Sequence, residues 1–174
     1  YGAMVYLEGD QVIAIDSNGK IIAKGVAGED DTTVIQAAIG DGPSNGREVS
    51  IASGTFRIQH QIVVQRNVKL RCSRGTVFKP VYPDLDMFRM HNGSGVDGCT
   101  INVIGTTNFT GTCILVDGED RIFASYTYGT DPYIRLSVDI FNVNLISNVK
   151  SGTAICLKCT TADKTGCIYG VRGN

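Results

Sequence analysis

Residues 96–104 read VDGCTINVI, and residues 138–146 read VDIFNVNLI. With an offset of 42 residues, the two stretches share Val and Asp at their start and similar aliphatic residues at their end. The next residues also repeat, because Gly111-Thr112 matches Gly152-Thr153 with an offset of 41. Strand-like units that recur about every 40 residues are typical of a solenoid, in which each unit buries its inward face by stacking on its neighbours.

The composition agrees with a single β-rich domain. The chain has 174 residues, of which 21 are Gly and 43% are hydrophobic, and its net charge is −1. This charge argues against a basic nucleic-acid-binding protein, and no apolar run approaches the ~18 residues of a membrane span. A sandwich or barrel, with a chance likeness between short β runs, is the alternative to a solenoid.

Short strand-like runs separated by turn residues fill the chain from Val49 onward, which excludes a doubly wound α/β fold. The predicted strands are Val49–Ile51, Thr55–Ile58, Gln61–Val64, Val68–Arg71, Thr76–Lys79, Met87–Met90, Thr100–Ile104, Thr112–Val116, Tyr133–Ile146 and Thr153–Leu157. Residues 118–132 are expected to form an insertion that leaves the stack at a turn.

The N-terminal part has a different pattern. Residues 3–25 predict a meander of three strands, with Asn18-Gly19 at a hairpin turn. Residues 30–40 read DDTTVIQAAIG and predict the only helix, with Asp30 or Asp31 as its N-cap and Gly40 as its stop. The helix has one apolar face, so we expect it to lie over another element.

Three stretches then resemble a known family. They are DDTTVIQAAI at 30–39, VSIASGTFRI at 49–58 and IVVQRNVKL at 62–70. Together they resemble the start of right-handed β-helix proteins of the pectate-lyase superfamily, which includes polysaccharide lyases, glycoside hydrolases and the tailspikes of viruses. The resemblance covers residues 30–80 well, and the rest of the chain only through its repeat character.

The resemblance implies an all-β right-handed parallel β-helix in three parts. Residues 1–28 would be an N-terminal β meander, residues 29–48 a capping helix with a linker, and residues 49–174 the stacked coils. Because the chain stops at Asn174 just after a strand-like run, we expect it to continue beyond that residue. A chain that begins at Tyr1 is expected to be a processed chain or a fragment.

Asp97 and Asp139 occupy the same place in the two aligned units. If these units stack directly, the two carboxylates would lie about 4.8 Å apart, the spacing of neighbouring strands. Such a pair can share a proton as catalytic acid and base, or hold Ca²⁺. The alternative is that each Asp makes an Asx turn before its strand. We expect no other metal site and no other cofactor.

A second set of polar residues predicts contact with sugars. Tyrosines stack on pyranose faces, and carboxylates accept hydrogen bonds from hydroxyl groups. The predicted glycan-binding residues around the insertion are Asp117, Glu119, Asp120, Tyr126, Tyr128 and Asp131. Arg57 and Arg71 join them, since residues 49–83 contain six positive charges and no acidic residue, a pattern that attracts an anionic glycan. A solvated loop and outward charges that keep strand edges soluble are the alternatives.

The cysteines and histidines indicate no metal or catalytic centre. Six cysteines permit three disulfides, but Cys72, Cys99 and Cys113 lie in or beside apolar strands and equally suit the role of small core residues. A disulfide between Cys159 and Cys167 would close a turn. His60 and His91 are predicted to be surface residues.

The function that fits these observations is structural and adhesive. We expect an extracellular or virion-surface protein, similar to a tailspike or surface fibre, that binds polysaccharide or a cell-surface glycan and forms a trimer or a filament. An enzyme, either a polysaccharide lyase or a glycoside hydrolase acting on an acidic glycan, is the first alternative. A self-assembling extracellular filament subunit is the second. Nucleic acid is not expected to be a partner.

Overall fold

The computed structural model describes residues 2–40, 46–117, 136–148, 151–158 and 168–173. In these residues the chain is mostly β, as its composition predicts, with sixteen strands and one helix. The strands are β1 (Ala3–Glu8), β2 (Gln11–Asp16), β3 (Ile21–Val26), β4 (Arg47–Ile51), β5 (Gly54–Ile58), β6 (Ile62–Val64), β7 (Val68–Cys72), β8 (Thr76–Pro80), β9 (Phe88–Met90), β10 (Gly95–Asp97), β11 (Thr100–Asn102), β12 (Thr112–Asp117), β13 (Leu136–Phe141), β14 (Asn144–Ile146), β15 (Thr153–Lys158) and β16 (Ile168–Gly173). The helix is α1 (Asp31–Ile39).

The strands are distributed over three sheets in rotation. The first sheet has the order β16-β13-β10-β7-β4-β1-β2-β3, the second β14-β11-β8-β5 and the third β15-β12-β9-β6. From β4 to β13 every strand pairs in parallel with the strand three positions further along the chain. We call three consecutive strands, one in each sheet, a layer; the four layers are β4–β6, β7–β9, β10–β12 and β13–β15.

The N-terminal strands form the predicted antiparallel meander, in which β1 pairs with β2 and β2 with β3. The hairpin turn between β2 and β3 is held by Asp16, whose Oδ1 accepts hydrogen bonds from the amides of Asn18 and Lys20 at 2.8 and 3.0 Å. Strand β1 also pairs in parallel with β4. The meander therefore extends the first sheet.

Helix α1 confirms the predicted helix and buries Val34, Ile35, Ala38 and Ile39 against the first strands. Asp30 is the N-cap residue, as predicted, but its side chain makes no capping hydrogen bond. Asp30 Oδ2 accepts from the amide of Val26 instead, at 2.8 Å. Both aspartates are used to fix the loop that leads into the helix.

Three contacts cover the exposed edges of the first layer. In the first sheet β1 pairs with β4. In the second, Asp31 Oδ2 accepts a hydrogen bond from the amide of Arg57 in β5 at 2.6 Å. In the third, the Gln36 amide accepts from Val63 N at 2.8 Å and donates to Val63 O at 3.1 Å, as a neighbouring strand would. The meander and α1 together satisfy backbone groups that an open sheet edge would expose.

Aligned apolar side chains from successive layers form the core. Phe56 and Phe78 are paired in register with ring centroids 5.9 Å apart, and Phe78 meets Phe88 edge to face at 5.0 Å. All three rings are buried. Each layer thus continues the core of the one before it, and burial of such side chains is worth about 2–3 kcal/mol each.

The observed strand register differs from the 42-residue offset of the sequence repeat. Val96 pairs with Ile140 and Thr100 with Asn144, so these strands recur after 44 residues rather than 42. A shift of two residues leaves every side chain on the same face of a strand, and hydrophobic alternation therefore cannot detect it. The offset of 41 between Thr112 and Thr153 is confirmed.

One predicted strand is two strands. The run from Tyr133 to Ile146 was expected to be continuous, but β13 ends at Phe141 and β14 begins at Asn144. Asn142 between them has φ 51°, a left-handed conformation that asparagine tolerates and that turns the chain from the first sheet to the second. Residues 133–135 lie outside the described residues.

Candidate functional site

The outer face of the first sheet carries an ion-pair surface, formed by Glu48, Lys69, Arg71, Asp97 and Asp139. Gly95 of β10 lies in register between Lys69 of β7 and Asp139 of β13. Because Gly95 has no side chain, Lys69 extends over it, and its Nζ lies 2.6 Å from Asp139 Oδ2 and 3.0 Å from the carbonyl oxygen of Ser94. The lysine thus joins three consecutive layers.

Arg71 makes the second ion-pair group on this surface. Its Nε donates to Glu48 Oε2 at 2.6 Å, and its Nη1 donates to Asp97 Oδ2 at 3.1 Å. Asp97 Oδ1 accepts a further bond from Asn142 Nδ2 at 2.8 Å. The pKa of Arg71 is raised above its usual value, chiefly by the hydrogen bond to Glu48. Arg71, a predicted glycan-binding residue, therefore has its charge balanced by two carboxylates.

Asp97 and Asp139 lie on the same face, but the prediction that they stack directly is wrong. Asp97 pairs with Phe141, and Asp139 pairs with Gly95. Both aspartates line a cavity of about 320 Å³. Asp97 is paired with Arg71, and Asp139 with Lys69. The two carboxylates are therefore bound to separate cations rather than to each other, and the role of these residues in catalysis stays a prediction.

Two positively charged side chains lie next to each other on the outer face of the second sheet. Arg57 of β5 and Lys79 of β8 lie directly opposite each other in neighbouring layers. In the part of the chain that the structure describes, neither cationic head has an ion pair or a side-chain hydrogen bond. Like charges in directly opposed positions destabilise a sheet. The pair is therefore electrostatically unsatisfied.

The same two cations line a cavity of about 670 Å³. We call it the cationic groove; its polar lining is Thr55, Arg57, Lys79, Thr106 and Thr107, and none of the described residues that line it is acidic. Thr106 Oγ1 donates to the carbonyl oxygen of Pro80 at 2.9 Å, which fixes one wall. Tyr82 stands between two other lining residues, Val81 and Pro83, and is 52% exposed.

Sequence reasoning found Arg57 but missed Lys79 and Tyr82. The signal for Lys79 was present, since it belongs to the run of six positive charges between residues 49 and 83. Its position opposite Arg57 depends on the pairing of β5 with β8, which the sequence did not give. Tyr82 carried no local signal, because it lies outside the predicted strands.

A third cavity, of about 660 Å³, lies between α1 and β6 and is lined by neutral polar groups such as Thr33, Gln36 and Gln65 together with His60. His60 is exposed, as predicted, whereas His91 is half-buried. Within the described ranges, no group of three or more His, Cys, Asp or Glu residues could hold a metal ion.

Most of the predicted glycan-binding residues around the insertion fall outside the part of the chain that the structure describes. Glu119, Asp120, Tyr126, Tyr128 and Asp131 lie outside the described residues, as do Cys159 and Cys167. Asp117 ends β12. The role of these six residues in glycan binding stays a prediction.

Four cysteines fall in the described part of the chain, all with free thiols. Cys99 and Cys113 are buried members of the core and Cys72 packs against it, as expected of small core residues. Burial raises the pKa of Cys113 to about 11. Cys156 is half-buried.

Comparison of the chain with family models, with curated proteins and with solved structures finds no match. No helix among the described residues is long and apolar enough to cross a membrane.

Proposed function

We propose that this chain is part of a right-handed parallel β-helix that serves as a structural and adhesive protein outside the cell or on a virion. We further propose that it binds an acidic polysaccharide in the cationic groove. The unpaired cations Arg57 and Lys79 are the observation that carries the binding proposal.

The strand order supports the fold. Each layer contributes one strand to each of three sheets, and the next layer adds a parallel strand to every one of them. A chain that winds in this way traces a helix of strands. We assign it a right-handed turn because connections between parallel strands of one sheet are right-handed in about 98% of cases. The covering of the first layer by β1 and α1 fits the start of such a helix.

The cationic groove supports an anionic ligand. Positions directly opposite in neighbouring strands are about 4.8 Å apart, so one carboxylate or sulfate group can bond to both Arg57 and Lys79. Its charge would relieve their mutual repulsion. Threonine hydroxyl groups along the groove can both donate and accept, as sugar hydroxyls require. The exposed ring of Tyr82 beside the groove offers a stacking face.

The ion-pair surface supports binding rather than cleavage. Glycosidic hydrolysis needs a protonated carboxylic acid that can donate to the leaving oxygen. Asp97 is paired with Arg71 and Asp139 with Lys69, so both carboxylates are already engaged as acceptors within the protein. The cations of this surface are already neutralised, and we therefore assign the glycan to the second sheet.

The test is calorimetric titration of the full chain with an oligosaccharide of uronic acid units, next to a neutral oligosaccharide of the same length and linkage. We expect the acidic sugar alone to bind, with an affinity that falls as salt is added. Arg57→Gln with Lys79→Gln should weaken binding at least about tenfold, since a hydrogen bond to a charged group is worth about 1.5–3 kcal/mol.

The matched control removes two charges elsewhere. Lys20→Gln with Lys24→Gln changes the net charge equally at exposed positions on the meander, and this variant should bind like the unaltered chain. Equal binding of the neutral sugar, or an equal loss in both double variants, would contradict the groove as the glycan site.

We also propose that the protein works as a homo-oligomer, either a trimer or a filament. Strand β3 forms an edge of the first sheet and exposes Ile21 and Val26, which are 53% and 49% accessible. An exposed apolar strand edge favours association. Light scattering followed by electron microscopy of the same material distinguishes a compact trimer from extended polymers, and a monomer would contradict this part of the proposal.

A further inference from the structure

Cys72 and Cys99 bring two thiols together at one corner of the stack, where the chain passes from the first sheet to the second. Cys72 ends β7 in the second layer, and Cys99 precedes β11 in the third. They are separated by 27 positions in the sequence. The two thiols are close enough for each to affect the ionisation of the other.

The backbone explains this close approach. Arg71 pairs with Asp97, which places the next residues, Cys72 and Gly98, beside each other. Gly98 has φ +85°, and a Cβ atom added to it would lie only 2.6 Å from the carbonyl oxygen of Cys72. Only glycine fits here, and its presence lets the third layer turn tightly against Cys72. Cys99 follows at once and points inward, where it is 1% exposed.

We propose that Cys72 and Cys99 form a redox pair, which a small-molecule disulfide oxidises to a disulfide bond that links the second layer to the third. This proposal is independent of the glycan site. Gly98 lies beside Cys72 at the layer spacing of about 4.8 Å, and Cys99 is the next residue. With a rise of about 3.3 Å per residue, the Cα atoms of Cys72 and Cys99 are about 6 Å apart, within the range of about 4.4–6.8 Å that a disulfide requires.

The reaction proceeds by two thiol–disulfide exchanges. Cys72 is the half-buried member and reaches solvent, so its thiolate attacks one sulfur of oxidised glutathione and releases one glutathione thiolate. The thiolate of Cys99 then attacks the Cys72 sulfur and releases the second. The two protein thiols lose two electrons and two protons, and one oxidised glutathione becomes two reduced molecules. The buried position of Cys99 protects it from direct attack.

The environment also predicts the rate of oxidation. Contact with Cys99 and burial raise the pKa of Cys72 well above its usual value. The thiolate is the nucleophile, so the first exchange is slow at neutral pH. The bond is therefore expected to form during long exposure to an oxidising compartment.

The experiment uses the whole reduced chain in its folded state. The chain is incubated with oxidised glutathione, its remaining thiols are alkylated, and it is digested without reduction for mass spectrometry. We expect a cross-linked pair of peptides that carries Cys72 and Cys99, with no attached glutathione. In Cys99→Ser, the second exchange is lost, and glutathione should stay on Cys72.

Cys156→Ser is the matched control, because Cys156 is also half-buried but lies in β15 of the fourth layer. The cross-link should form in this variant at the same rate. The proposal is overturned if the unaltered chain keeps both thiols reduced, retains glutathione on Cys72, or joins Cys72 to another cysteine. Mapping of the unaltered chain gives this answer even if a variant does not fold.

Discussion

Asp31 offers the sharpest test of how the first layer is closed. Its carboxylate is fully buried and accepts two backbone hydrogen bonds, from Gly28 N at 2.8 Å and from Arg57 N at 2.6 Å. Hydrogen bonds to a charged acceptor contribute about 1.5–3 kcal/mol each. We therefore expect Asp31→Ala to lower the free energy of unfolding by about 3–5 kcal/mol, a large share of the stability of a typical domain.

Asp31→Asn is expected to keep one of the two backbone hydrogen bonds and to lose the other. The amide keeps one acceptor oxygen but turns an NH₂ group toward the other backbone donor, so about half of the loss is expected. Asp30→Ala is the matched control, because its neighbouring carboxylate accepts one bond, from Val26 N at 2.8 Å, at a less buried position. We expect this control to cost about 1 kcal/mol.

Urea unfolding followed by far-ultraviolet circular dichroism measures these differences, since the chain contains no Trp for fluorescence. Hydrogen exchange at the Arg57 amide supplies a local measurement, because this amide should lose protection in Asp31→Ala before the core strands do. If Asp31→Ala costs no more than Asp30→Ala, the reasoning that Asp31 closes the edge of the second sheet is refuted.

Two further outcomes follow from the same contacts. Gly95→Ala should lower the free energy of unfolding by about 1–3 kcal/mol, because the new Cβ would lie 2.8 Å from Lys69 Cδ. In a Lys69→Ala background this cost, measured by urea unfolding, should shrink. Equal costs in both backgrounds would contradict the finding that Lys69 extends over Gly95. Burial raises the pKa of Cys113 from 9.0 to about 11, so the unfolded state binds fewer protons between these values and stability falls as the pH rises. By pH ~10.5 the free energy of unfolding should have fallen by about 2 kcal/mol. Cys113→Ala, measured at the same pH values, should lack this decrease. An identical pH dependence in the variant would exclude ionisation of Cys113 as the cause.

The parts of the fold that sequence reasoning predicted depend on local signals. Asn18-Gly19 identifies the hairpin between β2 and β3 because few other dipeptides adopt its turn. The apolar spacing from Val34 to Ile39 identifies α1 in the same way. Neither inference requires knowledge of what these elements contact. Asp30 takes the predicted N-cap position, but the carboxylates of Asp30 and Asp31 accept hydrogen bonds from amides outside the helix instead of capping it.

The candidate sites depend instead on register, which local signals leave open. Asp97 and Asp139 were matched through a two-residue error that preserves the alternation of faces. The corner between β10 and β11 is shorter than the corner between β7 and β8, so residues that meet across layers are not separated by a constant number of positions. The proximity of Cys72 to Cys99 follows from the pairing of Arg71 with Asp97, which no local signal in the sequence specifies.

Register also decides which cations are free to bind a ligand. Lys69 and Arg71 face acidic partners from neighbouring layers, and their charges are balanced within the protein. Arg57 and Lys79 come from the same basic stretch of sequence, but pairing of β5 with β8 places each opposite the other. A net charge of −1 hides this contrast. The attraction for an anion arises from the position of two charges on one sheet, so a variant that moves one of them to another face should lose binding with no change in net charge.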